Sequence, residues 1–300
     1  MAFYIWRITD GKAGHDSQSI GLCKAINRLK ASECIDLPIQ PSLTYFKNFF
    51  LKQFPLGNNL PDPNIIIGAG HSTHLPMLCA KRARGGKTIV LMKPSLPLSF
   101  FNTCIIPEHD QTTEKENVIT TSGAINPVQF NENKSANTGL ILIGGPSKHY
   151  RWNNKSILKQ ITQIINDCPD IKWTVADSPR TPDTALSGVS NLANITILNY
   201  KNTSSRTIRE IIFKTGNIWV SKDSVSMIYE SLSSGAAVGI LDVEQNNNNK
   251  ISDAINRLIN EKQLSSFEMW KNTKYLIPAS TKFNEADRCA SLLQARGILA

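Results

Sequence analysis

No two cysteines of this 300-residue chain are spaced C-x-x-C, and no apolar run approaches the ~20 residues that span a bilayer. With the first absence, and with several of the six in apolar stretches, the cysteines read as reduced, mostly buried thiols of a cytoplasmic protein rather than a disulfide frame or a zinc knuckle. The second argues against a helical membrane protein. The start, Ala-Phe-Tyr-Ile-Trp-Arg, meets Asp10 too soon to read as a secretory signal. A basic tail and any zinc-finger or RNP module are also missing. The net charge of +9, spread almost evenly over the two halves, therefore suits phosphorylated ligands or an anionic membrane surface better than nucleic acid, which is not expected as a partner. Neither a Walker A spacing nor an Asp-x-Asp pair occurs, so neither a metal nor a cofactor is expected.

What is present is a repeated alternation of strand, glycine turn and helix, with 41% hydrophobic residues to build cores. Residues 3–9 read as a strand and 16–30 as a helix; 64–67 read as a strand, 72–84 as a helix and 88–92 as a strand. Short strands are expected at 104–106 and 117–120. A polar stretch over 126–138 reads as a linker. A second series then follows, with strands at 139–143, 171–176, 195–198, 218–221 and 237–241. Such alternation builds parallel sheets covered on both faces, and the fold class is α/β. The expected division is 1–130, 138–283 and a last helix, 284–300, that crosses back to the first domain. The Asn run at 246–249 reads as a low-complexity loop.

All five histidines fall in Gly-, Pro- or Asp-containing segments after or near the ends of apolar runs. In open parallel sheets these loops line the ligand crevice, so a polar small-molecule site built from several loops is expected. Gly11-Lys12-Ala-Gly14-His15 and Gly70-His71-Ser-Thr-His74 supply imidazoles, and since a free imidazole changes charge close to neutral pH, His15 and His71 are expected as polar contacts or a general base. His74 reads as a hydrogen-bonded helix-entry residue. Glu108, His109 and Asp110 can orient one another, or form an exposed turn. Gly144-Gly145-Pro-Ser147-Lys148 follows a strand and offers amides that a phosphate can approach, or simply reverses the chain. Lys222-Asp223-Ser224-Val-Ser226 ends another strand, where Asp223 or Ser224 can cap the next helix and its N-terminus can attract an anion. Glu230 lies further along that helix. Over 42–54, Tyr45, Phe46, Phe49, Phe50 and Phe54 share a helical face. It is either core or an aromatic membrane face beside Lys47 and Lys52.

Together, the segments 10–18, 68–74, 107–110, 144–152 and 223–227 resemble the elongated-mitochondria, or mitochondrial fission, family over nearly the whole chain. The resemblance implies a GT-B-like fold of two Rossmann-like domains facing a central crevice. The family's plant members act in mitochondrial division by recruiting a dynamin-related protein, whereas this chain resembles the bacterial-type members. More distantly, the Gly-Lys-Ala-Gly-His loop is similar to the glycine-histidine loop of the lipid-linked N-acetylglucosaminyltransferase of peptidoglycan synthesis. Residues 224–235 are similar to that enzyme's donor helix. These similarities imply His15 as acceptor base, Glu230 as ribose contact and Arg180 as a lone basic clamp where the family pattern has two. The resulting expectation is a metal-independent glycosyltransferase. Its donor would be a nucleotide-diphosphate sugar bound on the second domain, and its acceptor would belong to the cell envelope or be lipid-linked. A nucleotide-sugar epimerase or hydrolase, or a non-enzymatic recruiter, are the competing expectations.

Overall fold

The computed structural model describes residues 2–39, 43–110, 112–113, 115–190, 192, 195–246 and 250–300, the side chains of Leu43, His109, Lys250 and Ile251 lying outside that description. Two compact units emerge. One comprises Met1–Pro127 with Glu285–Ala300, the other Val128–Asn284.

Unit 1 runs β1 (Phe3–Thr9), α1 (Ala13–Leu29), β2 (Ser32–Pro38), α2 (Leu43–Leu51), β3 (Ile65–Ala69), α3 (His74–Arg84), β4 (Lys87–Leu91), β5 (Thr103–Pro107) and β6 (Val118–Thr121). All neighbours pair in parallel, in the order β2-β1-β3-β4-β5-β6. The central strands, Ile65-Ile66-Ile67 for instance, are buried on both faces, which is why they read as continuous apolar runs. On one face Ile5, Ile67, Leu22 and Ile26 enclose a core with Cys289 and Leu293. On the other, Trp6, Ile66, Phe54, Met77 and Phe101 form a second core.

Unit 2 runs β7 (Ser135–Leu142), β8 (Tyr150–Arg151), α4 (Asn154–Asp167), β9 (Lys172–Ala176), α5 (Asp183–Ser187), β10 (Ile195–Leu198), α6 (Ser205–Lys214), β11 (Thr215–Ser221), α7 (Val225–Ser233), β12 (Ala237–Leu241), β13 (Glu244–Gln245), α8 (Lys250–Asn260), β14 (Ser265–Ser266) and α9 (Phe267–Thr273). Its main sheet is also parallel, ordered β10-β9-β7-β11-β12-β14. A last helix, α10 (Glu285–Ala295), packs on α1 in unit 1 and contributes Cys289 and Leu293 to its core.

Three local readings change. The stretch expected as a linker to residue 138 already contains the start of β7 at Ser135. Strand β2, unforeseen, is an edge strand whose mostly exposed Ser-Glu-Cys-Ile-Asp-Leu-Pro sequence lacks a continuous apolar signal. The aromatic stretch does not present one face either. Its helix ends at Leu51, Tyr45 and Phe54 are buried, and Phe46 and Phe50 stand exposed. The Asn run at 247–249 and Ser42 lie outside the described residues.

Candidate functional site

Each sheet has a place where successive chain connections run to opposite sides, and ligands of open α/β sheets bind beyond the carboxyl ends of the strands there. In unit 1 this switch point lies between β1 and β3; in unit 2 it lies between β7 and β11. The segments 10–15 and 70–74 follow the first pair of strands, and 144–148 and 223–226 follow the second.

At the first switch point the Asp10 side chain is 3% exposed and gathers the loops around it. It accepts hydrogen bonds from Ser72 Oγ at 2.7 Å and from the Lys12 amide at 3.2 Å, and its Oδ2 lies 3.0 Å from His15 Nδ1. Burial alone would raise this carboxyl, but the bonds from Ser72, His15 and Lys12 outweigh it and hold it below its ordinary value. With the Nδ1 proton facing Asp10, His15 presents Nε2 as its basic nitrogen. Gly70 is required by the imidazole, since a Cβ there would lie 2.2 Å from His15 Cε1 and the backbone is left-handed at φ +82°. Gly11 is left-handed as well, whereas Gly14 opens the first turn of α1 in open space.

A cluster that sequence reading missed holds this loop in place. Buried Arg7 donates from Nε to Asp36 at 2.7 Å and from Nη1 to Asp16 at 2.8 Å and Ser19 at 3.1 Å, which ties β1 and β2 to the first turns of α1. Desolvation opposes the charge on Arg7, yet the two carboxylates more than offset it and raise its pKa. Arginine in the middle of an otherwise apolar strand was the signal available in the sequence.

The other histidines separate from this dyad. His71 is exposed. His74 is buried beside Phe101, with Nδ1 3.3 Å from Ser95 Oγ. Burial, assisted by His71, pushes its pKa down to about 4. Glu108 and Asp110 follow β5, three strand positions from β1 and hence roughly 14 Å from that strand's end. Glu108 is exposed, and the His109 side chain lies outside the described residues. The structure thus joins Asp10, His15 and Ser72, and sets the 108–110 turn apart from them.

At the second switch point the side chain of Asp223 is fully buried. The Gly145 amide donates to its Oδ2 at 3.0 Å and Arg180 Nη2 lies 2.8 Å from the same oxygen, while the Gly144 amide donates to Ser221 Oγ at 2.7 Å. Arg180 also donates to the Gly145 carbonyl at 2.9 Å and to Ser224 Oγ at 3.1 Å. The two glycines exist for this packing. A Cβ at Gly144 would meet Asp223 Oδ2 at 2.1 Å, and one at Gly145 would meet the Arg180 carbonyl oxygen at 2.0 Å. Expecting both amides to cradle a phosphate is therefore corrected: each already has an internal acceptor.

The start of α7 differs from expectation in a second way. Ser224 occupies the N-cap position but its side chain makes no capping bond, being engaged with Asp223 and Arg180. Ser226 in the first turn is exposed, as is Lys148, and Ser147 is half-buried. Glu230 lies 3.3 Å from Arg209 of α6. Among the described residues no group of three or more His, Cys, Asp or Glu side chains is placed to hold a metal ion.

Two parallel six-stranded Rossmann-like sheets with polar groups at both switch points define a protein of the GT-B fold class. The chain belongs to the mitochondrial fission ELM1 family, whose profile matches residues 13–296. It is 22% identical, over an alignment of 350 residues covering 97% of each chain, to an uncharacterized protein of Rickettsia prowazekii (strain Madrid E). Among solved structures, it resembles a candidate UDP-N-acetylglucosamine 2-epimerase of Listeria monocytogenes, with a TM-score of 0.60 and 11% identity over 99% of this chain and 97% of that one. The UDP-GlcNAc 2-epimerase of Neisseria meningitidis, solved with UDP-GlcNAc bound, gives a TM-score of 0.55 at 8% identity over all of both chains. At such identities the likeness is one of fold.

Proposed function

We propose that the protein is a metal-independent GT-B glycosyltransferase that binds the nucleotide-diphosphate sugar on unit 2 and deprotonates its acceptor, a cell-envelope molecule, from unit 1. The observation that carries this reading is the Asp10–His15 pair at the unit 1 switch point, a buried carboxylate aligning a part-exposed imidazole. His15 Nε2 takes the proton of the acceptor hydroxyl as its oxygen attacks the anomeric carbon. Asp10 fixes the ring and stabilises the imidazolium that forms. The bond from the anomeric carbon to the diphosphate oxygen breaks, and the nucleoside diphosphate leaves with the negative charge.

On unit 2 the first-turn amides of α7, free of a side-chain cap, suit that charge, and exposed Lys148, three residues beyond the Gly145 amide that Asp223 holds, adds a cation in this reading. Arg180, Gly144, Gly145, Asp223 and Ser224 act by fixing the turn from which α7 starts, and Ser226 and Ser147 border it. Glu230 is the ribose contact in this reading, held by Arg209. His71 borders the acceptor side. Glu108 and His109 take no role in the proton transfer.

A second reading, a nucleotide-sugar epimerase or hydrolase, is favoured by the UDP-GlcNAc 2-epimerases among the structures of similar fold. A thermal-shift screen of nucleotide-diphosphate sugars, followed by product analysis, separates the two. Stabilisation that rises with ligand concentration supports a sugar-nucleotide enzyme. Released epimer would favour the second reading, and no stabilisation by any nucleotide sugar would remove both.

A further inference from the structure

The even division of charge between the halves of the sequence conceals a strong local excess. Residues 37–107 carry seven Lys and Arg but a single acidic residue, Asp62, and Asp62 is already paired with Arg84. Within this stretch α2 and α3 lie side by side, and both lack acidic residues.

The exposed apolar residues fall in the same stretch. Phe46 is 66% exposed, Phe50 63% and Leu51 53%, and Phe100 in the turn after β4 is 48% exposed. Phe46 and Phe50 touch edge to face at 5.1 Å, and Phe50 touches Phe49 at 5.7 Å, so the three rings form one ridge. Beside the ridge is a groove of about 510 Å³ lined by Phe49, Leu78, Phe100, Lys52, Lys81 and Arg82. The Arg82 guanidinium lies 5.1 Å from the Phe49 ring centroid, and Lys47 and Lys52 are exposed on and just after α2.

From these placements we infer that α2 and the 98–100 turn form a docking face for an anionic lipid bilayer, with Phe46, Phe50 and Leu51 entering the headgroup and acyl boundary while Lys47, Lys52, Lys81 and Arg82 contact lipid phosphates. Charge selects this occupant. An acid-free basic rim around an aromatic ridge suits an anionic surface, whereas a second copy of the same face would set like charges together. No described helix is long and apolar enough to cross a bilayer. The groove then takes part of an acyl chain beside the ridge. The inference goes beyond the glycosyltransferase reading and does not require it.

The test is flotation of the full chain with vesicles of phosphatidylcholine alone and of equal parts phosphatidylcholine and phosphatidylglycerol. The wild type floats with the anionic vesicles, sinks with the neutral ones, and is released by salt. The double variant Phe46→Ser, Phe50→Ser keeps its melting temperature, both rings being exposed already, and loses roughly tenfold or more in vesicle partitioning. Lys47→Glu with Lys52→Glu loses the preference for anionic lipid by a separate route. Wild-type protein that never floats, or a Phe46/Phe50 variant that floats like wild type, would overturn the inference. So would light scattering that finds a dimer abolished by the same aromatic pair, since the ridge would then be a self-association surface.

Discussion

The two units solve the same architectural problem with different strand orders. Unit 1 places its second strand at the edge and turns direction between the first and third strands. Unit 2, with its six strands taken in chain order as 3-2-1-4-5-6, turns between the first and fourth. Both concentrate polar side chains beyond that turning point. The polarity is used differently: in unit 1 Asp10 is buried and the imidazole it holds remains 20% exposed, whereas in unit 2 the carboxylate, the glycine amides and Arg180 bind chiefly one another. In the proposed reading the first presents a base, and the second fixes the backbone from which α7 starts. A base must be aimed; an anion site needs only a rigid set of amides.

Breaking unit 2 should therefore cost stability first. Gly145→Ala drives a Cβ into the Arg180 backbone, which cannot swing aside as a side chain can. A loss of about 3 kcal/mol is expected in denaturant unfolding. Gly70→Ala in unit 1 meets the His15 ring first, a side chain rather than backbone, although at a left-handed backbone position. It should cost about 1–2 kcal/mol and displace the imidazole. Equal losses at the two glycines would erase the distinction.

His74 supplies a comparison of the same kind in pH. Its folded pKa of about 4 lies below the 6.5 of an unperturbed imidazole, so between these values the unfolded chain binds more protons than the folded one. Stability should then rise with pH across that window, by up to about 3 kcal/mol from pH 4 to pH 7. His74→Phe should flatten the slope. Asp10 acts at lower pH, where its depressed pKa gives stability above the usual carboxylate range that is lost as pH falls through the folded value.

On the reaction, His15→Ala should lower turnover by roughly a hundredfold and leave donor affinity unchanged. Asp10→Asn should cause a smaller loss of turnover, since the imidazole remains but loses its aligning charge. The smallest effect is expected from Ser226→Asp. A carboxylate in the first turn of α7 favours the helix dipole, so the melting temperature should hold or rise slightly, while nucleotide-sugar affinity falls by about tenfold through like-charge repulsion.

Much of the fold was legible because buried parallel strands announce themselves as unbroken apolar runs, as in Ile65-Ile66-Ile67 and Leu140-Ile141-Leu142. Edge strand β2 was not, because one neighbour and partial burial leave its sequence polar. Loop segments at the switch points could be found from their Gly, His and Ser content. Their partners could not, since Asp10 meets Ser72 and Asp223 meets Gly145 only once distant strands are side by side. Sequence spacing also misread the glycines after β7, because a Gly-Gly turn looks the same whether it approaches a phosphate or a buried carboxylate.

Whether the anion site belongs to unit 2 and the base to unit 1 is decided by calorimetric titration of a nucleotide-diphosphate sugar into wild type, His15→Ala and Ser226→Asp. His15→Ala should bind the sugar nucleotide as wild type does, and Ser226→Asp should bind it about tenfold more weakly. Weakened binding by His15→Ala with unaltered binding by Ser226→Asp would contradict that assignment.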